Sequence, residues 1–229
     1  MSPVPVKLTR SREDYLKALF EMADEEGGSV AVSALARRLG VSPPSVTNML
    51  ARLAREKLLT RASRGAARLT AEGRRRALET VRRHRMLETF LVRVLGLDWS
   101  EVHEDAEVLE HVVSDRVMAA LEKLSGHPGE DPHGHPIPDR RGRIVHRDLV
   151  PLASLDGGER ATVRELRDRD RRRMARWKRD GLVPGAPVRM LSAAEDGVHT
   201  LEVAGRRFVA GSEGLDGVMV ERRRTGARA

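Results

Sequence analysis

Imidazole and carboxylate side chains recur at helical spacing in the middle of the sequence. Because residues three and four apart share one face of an α-helix, these side chains would form a line of nitrogen and oxygen donors on each of two consecutive helices. Carboxylates held that close repel one another and are costly to bury, and a divalent cation would relieve both conflicts. The spacing therefore predicts a metal site. Its donors would be His84 and Glu88 on the first helix and His103, Glu107, Glu110 and His111 on the second.

A surface face of ion pairs is the alternative interpretation of these donors. The segment 98–111 contains Glu, Asp and His but neither Lys nor Arg, although the chain carries a formal net charge of +8. Acidic groups without nearby basic partners favour the metal site. Catalytic motifs fit poorly, because the sequence HEDAE at 103–107 has Glu where a zinc-protease pair needs its second His, and no G-x-S-x-G motif is present. We therefore expect a regulatory metal and no enzymatic activity.

The composition is that of a globular chain with a basic surface. Its 229 residues are 40% hydrophobic and 33% charged, enough for two domains with their own cores. No apolar run suits a membrane span or a signal peptide, so we expect a cytoplasmic protein. The net charge favours a nucleic acid partner, although an Arg-rich surface alone would also produce it. Cysteine is absent, which limits metal ligands to His, carboxylate and backbone oxygen.

Two short helices around the sequence LGVSPP predict a helix-turn-helix. A helix over 8–26 ends at the glycine pair 27–28, Gly40 permits the tight turn, and Ser42 is a natural N-cap followed by prolines. The segment LLTRASRGAARLT then predicts two strands around a turn. An unrelated helical hairpin followed by a β-hairpin would give the same order, but the basic charge favours a winged helix that binds DNA. Its contact candidates are Ser42, Pro43, Pro44, Ser45, Thr47, Asn48 and Arg52 on the second helix and Arg61, Arg64 and Arg68 on the wing.

Beyond the winged helix, the pattern predicts two long helices and then a β domain. Helices over 71–95 and 100–124 carry apolar stripes larger than a DNA-binding unit needs, which favours homodimerisation. The Pro-, Gly- and His-rich segment 125–143 is predicted to be a loop that exposes its histidines, which are His127, His133 and His135. From 149 onward, short β-type runs interrupted by one helix near 168–180 predict a small SH3-like barrel.

The predicted fold class is therefore mainly α with a C-terminal small β-barrel. We expect three domains along the chain. They are a winged helix-turn-helix DNA-binding domain over 1–75, a helical metal-binding and dimerisation domain with its linker over 76–143, and an SH3-like domain over 144–229.

Several segments resemble one family, the metal-dependent transcriptional repressors typified by the diphtheria toxin repressor (DtxR) and the manganese transport regulator (MntR). They are EDYLKALFEM, VSPPSVTNML, RHRMLETFL, VHEDAEVLEHVVSD and GHPIP, and the C-terminal segment resembles the family's FeoA-like domain. The resemblance implies a metal-activated homodimer that binds palindromic operator DNA and controls metal uptake and homeostasis genes, with no membrane partner and no small-molecule substrate. A metal-independent winged-helix regulator and a di-metal enzyme are the alternatives.

The resemblance also divides the candidate ligands into two sites. The primary site would consist of Asp14, Glu107, Glu110 and His111. The second site would consist of His84, Glu88 and His103, completed by Asp170 from the C-terminal segment. Because Asp14 and Glu107 are carboxylates, as in manganese-type members, Mn(II) is the expected cofactor, with Fe(II) second and other divalent transition metals binding in vitro. Lys17 departs from the manganese type, which has Glu at that position.

Overall fold

The computed structural model of the chain describes residues 8–26, 28–61, 66–168, 170–193 and 197–223. They form two compact units, one made of Met1–His84 with Pro138–Arg143 and the other of Arg85–Ile137 with Ile144–Ala229. Within the described ranges, no helix has both the length and the apolar character that a membrane span requires.

The first unit contains a helix-turn-helix followed by a β-hairpin. Its elements are α1 (Arg10–Glu26), β1 (Val30–Ala31), α2 (Val32–Leu39), α3 (Pro43–Arg55), β2 (Leu59–Arg61), β3 (Ala66–Leu69) and the first part of α4 (Ala71–Arg93). Three antiparallel strands form a small sheet in the order β1-β3-β2, and α1 contacts both α2 and β3. This is the element order that the sequence predicts for a winged helix.

Local signals in the sequence explain the turn between α2 and α3. Gly40 ends α2 in the left-handed region with φ at +65°, a conformation that costs glycine little. The Ser42 hydroxyl accepts a hydrogen bond from the Ser45 backbone N–H at 3.4 Å, and the prolines of the first turn have no N–H to leave unpaired. The inner faces bury Leu35 and Leu53 completely, so packing and capping act together.

The helical part of the second unit differs from the expected single helix over 100–124, which is wrong. The structure has two helices there, α5 (His103–Leu109) and α6 (Asp115–Leu124). Ser114 starts α6 because its hydroxyl accepts from the Val117 N–H at 3.4 Å, a cap that competes with a continuous helix. These helices and the end of α4 share a small core made of Met86, Leu87, Ala106, Met118 and Ile137.

The C-terminal part of the second unit is an antiparallel sheet with the strand order β4-β9-β5-β6-β7-β8. The predicted barrel is wrong, because β4 and β8 are the two edges of an open sheet and do not pair with each other. Trp177 and Met174 of the helix α7 are buried in the core of this sheet, so a helix covers apolar surface that a barrel would enclose with strands. The elements are β4 (Val150–Pro151), β5 (Arg160–Leu166), α7 (Arg171–Asp180), β6 (Pro187–Ala193), β7 (Val198–Val203), β8 (Arg206–Gly211), α8 (Ser212–Leu215) and β9 (Val218–Arg222).

The loop before the sheet is aperiodic, as predicted, but it does not expose all of its histidines. His127 is exposed, whereas His133 is 6% exposed. The His133 carbonyl accepts a hydrogen bond from the Leu166 N–H of β5 at 3.0 Å. The expectation of solvent exposure is therefore wrong for His133, because the backbone of the loop is bonded to the C-terminal sheet.

Gly134 tests how closely this loop approaches the sheet. Its φ is +89°, and a Cβ would lie 1.8 Å from the backbone oxygen of Arg164. We expect Gly134→Ala to lower the free energy of unfolding by about 2 kcal/mol or more, because strain and overlap with backbone cannot be relieved by a side-chain rotation. Gly129→Ala is the matched control, since a Cβ there has no described atom within 4 Å. Urea unfolding followed by circular dichroism measures both, and equal stability of the two variants would contradict the close approach.

Candidate metal centre and nucleic-acid interface

Glu88 of α4 lies between two imidazoles. Its Oε1 is 3.1 Å from Nδ1 of His103, and its Oε2 is 3.5 Å from Nδ1 of His133. The residue is 2% exposed, so its charge has little access to water. A buried carboxylate needs compensating positive charge, and here that charge comes from protons on the imidazoles or from a cation in their place.

His103 faces carboxylates through both of its ring nitrogens. Nδ1 faces Glu88, and Nε2 lies 3.4 Å from Oε1 of Glu107, one turn further along α5. A neutral imidazole has one N–H and one lone pair, so one of the two carboxylates would then meet a lone pair. A divalent cation on that side would remove the repulsion, which supports His103 and both carboxylates as metal donors.

His133 has the same requirement in a more buried position. Its Nε2 is 2.8 Å from the Trp99 carbonyl and must donate to it, which leaves Nδ1 facing Glu88. Burial lowers the pKa of His133, but the charges of Glu88 and Asp131 and the hydrogen bond to Glu88 outweigh burial and raise the pKa to about 9. The surroundings thus strongly favour a positive charge at Nδ1, the nitrogen whose lone pair could bind a metal.

Asp131 organises the loop that carries His133. Its Oδ1 accepts hydrogen bonds from the backbone N–H groups of His133 at 2.8 Å and His135 at 3.0 Å, and its Oδ2 is 3.1 Å from Nδ1 of His135. Burial raises the pKa of Asp131, but His135 and His133 lower it further, so the net direction is downward. One ligand atom from each of Asp131, His133 and His135 lies within 4.8 Å of the others, a separation that suits a common metal ion.

Three donors of the predicted primary site, Glu107, Glu110 and His111, lie at the end of α5 and directly after it, in the same unit as Glu88. Glu110 is 1% exposed, and its Oε1 is 3.4 Å from Nε2 of His111. Glu107 contacts His103, so the structure links the two predicted sets through that pair. Asp14 belongs to α1 of the first unit, and its proposed role with Glu110 and His111 stays a prediction.

His84 lies one helical turn before Glu88 on α4 and has a different partner. Nζ of Lys17 is 2.9 Å from Nδ1 of His84, and both residues are buried within the first unit. Lysine donates hydrogen bonds and accepts none while it is charged. A charged Lys17 would therefore donate to Nδ1 of His84 in this contact.

The C-terminal candidate Asp170 acts as a helix cap. Its Oδ1 accepts from the backbone N–H groups of Arg172 at 2.8 Å and Arg173 at 3.4 Å at the start of α7. The neighbouring Asp168 forms an ion pair with Arg173 at 2.6 Å. A metal role for Asp170 stays a prediction from the resemblance.

The predicted DNA-contacting residues of α3 share a solvent-facing surface. The Thr47 hydroxyl donates a hydrogen bond to the Pro43 carbonyl at 3.0 Å, and Nε of Arg52 lies 3.4 Å from Oε1 of Glu56. Arg68 of β3 is also exposed, whereas Arg64 lies outside the described residues. The exposed residues of α3 and its cap are Ser42, Pro43, Pro44, Ser45, Thr47, Asn48 and Arg52.

Sequence reasoning did not consider Asp131, and it judged His133 to be an exposed loop residue and not a metal ligand. Their segment, DPHGH, has no helical or strand periodicity, so spacing arguments gave no reason to place its side chains near Glu88. The Asp-x-His-x-His pattern was the available signal, because it concentrates metal-ligand types within five residues. The donor set contains oxygen and imidazole nitrogen without sulfur, which fits Mn(II) and Fe(II).

Comparison with known families assigns each part of the chain. The profile described as iron dependent repressor, N-terminal DNA binding domain, matches residues 7–67. The profile described as iron dependent repressor, metal binding and dimerisation domain, matches residues 70–139, and the FeoA domain matches residues 150–222.

Individual relatives and solved structures agree with those profiles. The iron-dependent repressor IdeR of Mycobacterium leprae is 34% identical over 193 residues, which cover 79% of this chain and 84% of the relative. The diphtheria toxin repressor of Corynebacterium diphtheriae is 37% identical over 131 residues, 57% of this chain and 58% of that protein. A manganese-dependent transcriptional repressor in complex with manganese superposes with a TM-score of 0.87 at 36% identity, over 93% of this chain and all of the other.

The position of Trp99 offers a direct test of the metal centre. The Trp99 backbone carbonyl accepts a hydrogen bond from Nε2 of His133, and the centroids of the two rings are 5.5 Å apart. We expect Mn(II) to quench Trp99 fluorescence, and Glu88→Gln to weaken the binding about 10- to 100-fold because a buried anionic donor is lost. A fluorescence titration measures this, and Trp99→Phe should remove most of the signal.

Glu122→Gln is the matched control for Glu88→Gln, because Glu122 lies on α6 beside the exposed His127. Equal Mn(II) affinity in the Glu88 and Glu122 variants would contradict a metal centre at Glu88.

Proposed function

We propose how this chain, which belongs to the DtxR/MntR family of iron- and manganese-dependent transcriptional repressors, responds to metal. Binding of a divalent metal ion, chiefly Mn(II), makes its winged helix competent to bind operator DNA. As a member of that family the chain is a metal-dependent DNA-binding repressor and not an enzyme. The choice of Mn(II), the ligand sets and the dimeric, palindromic mode of binding are the parts proposed here.

The observation that carries the proposal is the buried carboxylate of Glu88 between two imidazoles. We place one metal at Glu88, His103 and His133, with Asp131 holding the loop that presents His133. A bound divalent ion would supply the positive charge that these donors otherwise draw from protons. Since the donors are oxygen and imidazole, Mn(II) is the first choice and Fe(II) the second.

The primary site of the resemblance would use Glu107, Glu110 and His111 together with Asp14. Asp14 lies on α1, the helix that leads into the helix-turn-helix, while the other three lie at the end of α5. A shared ion would make metal binding and the placement of α3 interdependent. A coupling free energy of about 1–3 kcal/mol is enough for a useful switch.

The DNA-binding role is assigned to the exposed face of α3. Asn48 suits the paired donor and acceptor of an adenine edge, and Arg52 suits guanine or phosphate. Ser42 and Ser45 would bind phosphates at the start of the helix, where the backbone N–H groups also point outward. The wing arginines would contact the DNA backbone, and operator binding implies a cytoplasmic location.

A homodimer is proposed from the apolar side chains that the second unit exposes. They occur between residues 94 and 124, within the segment that matches the metal binding and dimerisation profile. A second copy of the chain would cover them and set the spacing of two recognition helices on a palindrome. The exposed side chains are Val94, Leu95, Leu97, Val108, Val112, Val117 and Leu124.

Operator binding should depend on metal and on the donors of the primary site. A duplex selected from a random library in Mn(II) provides the probe. We expect chelator to weaken binding to that duplex at least tenfold, and Asp14→Ala or Glu110→Gln to have the same effect in Mn(II), because the coupling between metal and DNA is lost. Fluorescence anisotropy measures the affinities.

Glu79→Gln is the control, because Glu79 is an exposed acid of α4 that pairs with Arg75. Equal affinity with Mn(II) and with chelator would instead support a metal-independent winged-helix regulator.

The dimer is tested by placing charge on its proposed surface. Val112 is 72% exposed and Leu124 is 66% exposed, so the double variant Val112→Asp, Leu124→Asp should still fold. We expect it to raise the dissociation constant of the dimer at least tenfold. Analytical ultracentrifugation measures this. Val145→Asp is the control, because Val145 is 67% exposed but lies outside the helices. An unchanged dimer in the double variant would place the interface elsewhere.

A further inference from the structure

Three arginines lie side by side on the exposed face of the C-terminal sheet. Strand pairing places Arg160 of β5 opposite Arg189 of β6, and the Arg223 N–H, just after β9, donates to the Arg160 carbonyl at 2.9 Å. Residues that are opposite each other on antiparallel strands point their side chains to the same face. The three arginines are exposed, whereas their strand neighbours Ala161 and Val188 are buried in the core that α7 covers. We call Arg160, Arg189 and Arg223 the arginine row, and it lies on the face away from that core.

The carboxylates beside the arginine row already pair with other arginines. These pairs are Glu159 with Arg222 at 3.3 Å, Glu202 with Arg207 at 3.9 Å and Glu221 with Arg164 at 2.7 Å. Among the described residues, no member of the row forms an ion pair, and Arg223 donates to the Thr162 hydroxyl at 3.1 Å. Like charges that are directly opposite on neighbouring strands destabilise a sheet. The stability of the sheet therefore does not explain the row, which indicates a function for it.

The spacing of the arginine row suits a chain of phosphates. The strands β9, β5 and β6 are adjacent in the sheet, and neighbouring strands are about 4.8 Å apart, so the row spans about 10 Å. Each strand of B-DNA carries a phosphate about every 3.4 Å along the helix axis, so about three phosphates fall within that span. Guanidinium groups bind phosphate oxygens through paired hydrogen bonds, which makes arginine well suited to such a partner.

We propose that the arginine row binds phosphates of the DNA that flanks the operator, which adds a sequence-independent contact to the specific contacts of α3. DNA is favoured over other polyanions because residues 7–67 match the DNA binding domain of the family. A duplex bound there would hold its flanking phosphates at a high effective concentration near the rest of the chain. The inference concerns a surface separate from the metal donors and needs none of the proposed ligand sets.

The test uses the full chain in saturating Mn(II) and the duplex selected in Mn(II). The duplex is either trimmed to its specific sequence or extended at each end by about ten random base pairs, one turn of the helix. The triple variant Arg160→Gln, Arg189→Gln, Arg223→Gln should bind the extended duplex about tenfold more weakly. The slope of log affinity against log salt should become shallower by about 2 to 3, because each phosphate contact contributes about 0.9. Affinity for the trimmed duplex should change less than about twofold, and fluorescence anisotropy measures all of these affinities.

The matched control removes the same charge from the other side of the same sheet. It is the triple variant Arg172→Gln, Arg176→Gln, Arg179→Gln on α7, whose Met174 and Trp177 pack into the core. We expect this variant to bind the extended duplex with nearly wild-type affinity and salt slope. An equal loss in the two triple variants would overturn the inference, because net charge alone would then explain it.

Two further results would overturn the inference. One is an equal loss on the trimmed and the extended duplex, because the contact would then not lie on flanking DNA. The other is unchanged binding of the extended duplex together with lost binding to phosphatidylglycerol vesicles, which would assign the row to anionic lipid. The proposed function fails separately, if chelator leaves the wild-type affinity unchanged, and the two triple variants can then still be compared without metal.

Discussion

The contact on which the rest of the site depends is that of the Glu88 carboxylate with two imidazoles. A carboxylate that is 2% exposed has lost most of its hydration, a cost of several kcal/mol that neighbouring positive charge must offset. His103 and His133 offset it most strongly as imidazolium ions or as ligands of a shared cation. Since His133 uses Nε2 for the Trp99 carbonyl, the charge has to lie on the side of Glu88. This requirement is the physical basis of the divalent ion proposed at Glu88.

The same requirement links the proposed metal donors to the C-terminal sheet. The ring of His133 faces Glu88 while its carbonyl is bonded to Leu166 of β5, and the next residue, Gly134, lies against the backbone of Arg164. Lys178 of α7 forms a further ion pair with Asp98 at 2.8 Å, close in sequence to Trp99. A shift of the sheet would therefore move His133 relative to Glu88, so the proposed metal centre depends on the position of the FeoA domain.

The features that the sequence predicted correctly have local causes. Gly40, Ser42 and the prolines specify the helix-turn-helix within a few residues, and periodic apolar positions specify the helices around it. The wrong predictions depend on interactions that the periodic pattern does not show. The side-chain cap at Ser114 divides a helix whose apolar pattern is continuous. The sheet is open, and α7 covers its core. His133 could not be placed because its position depends on a hydrogen bond to β5, more than thirty residues later.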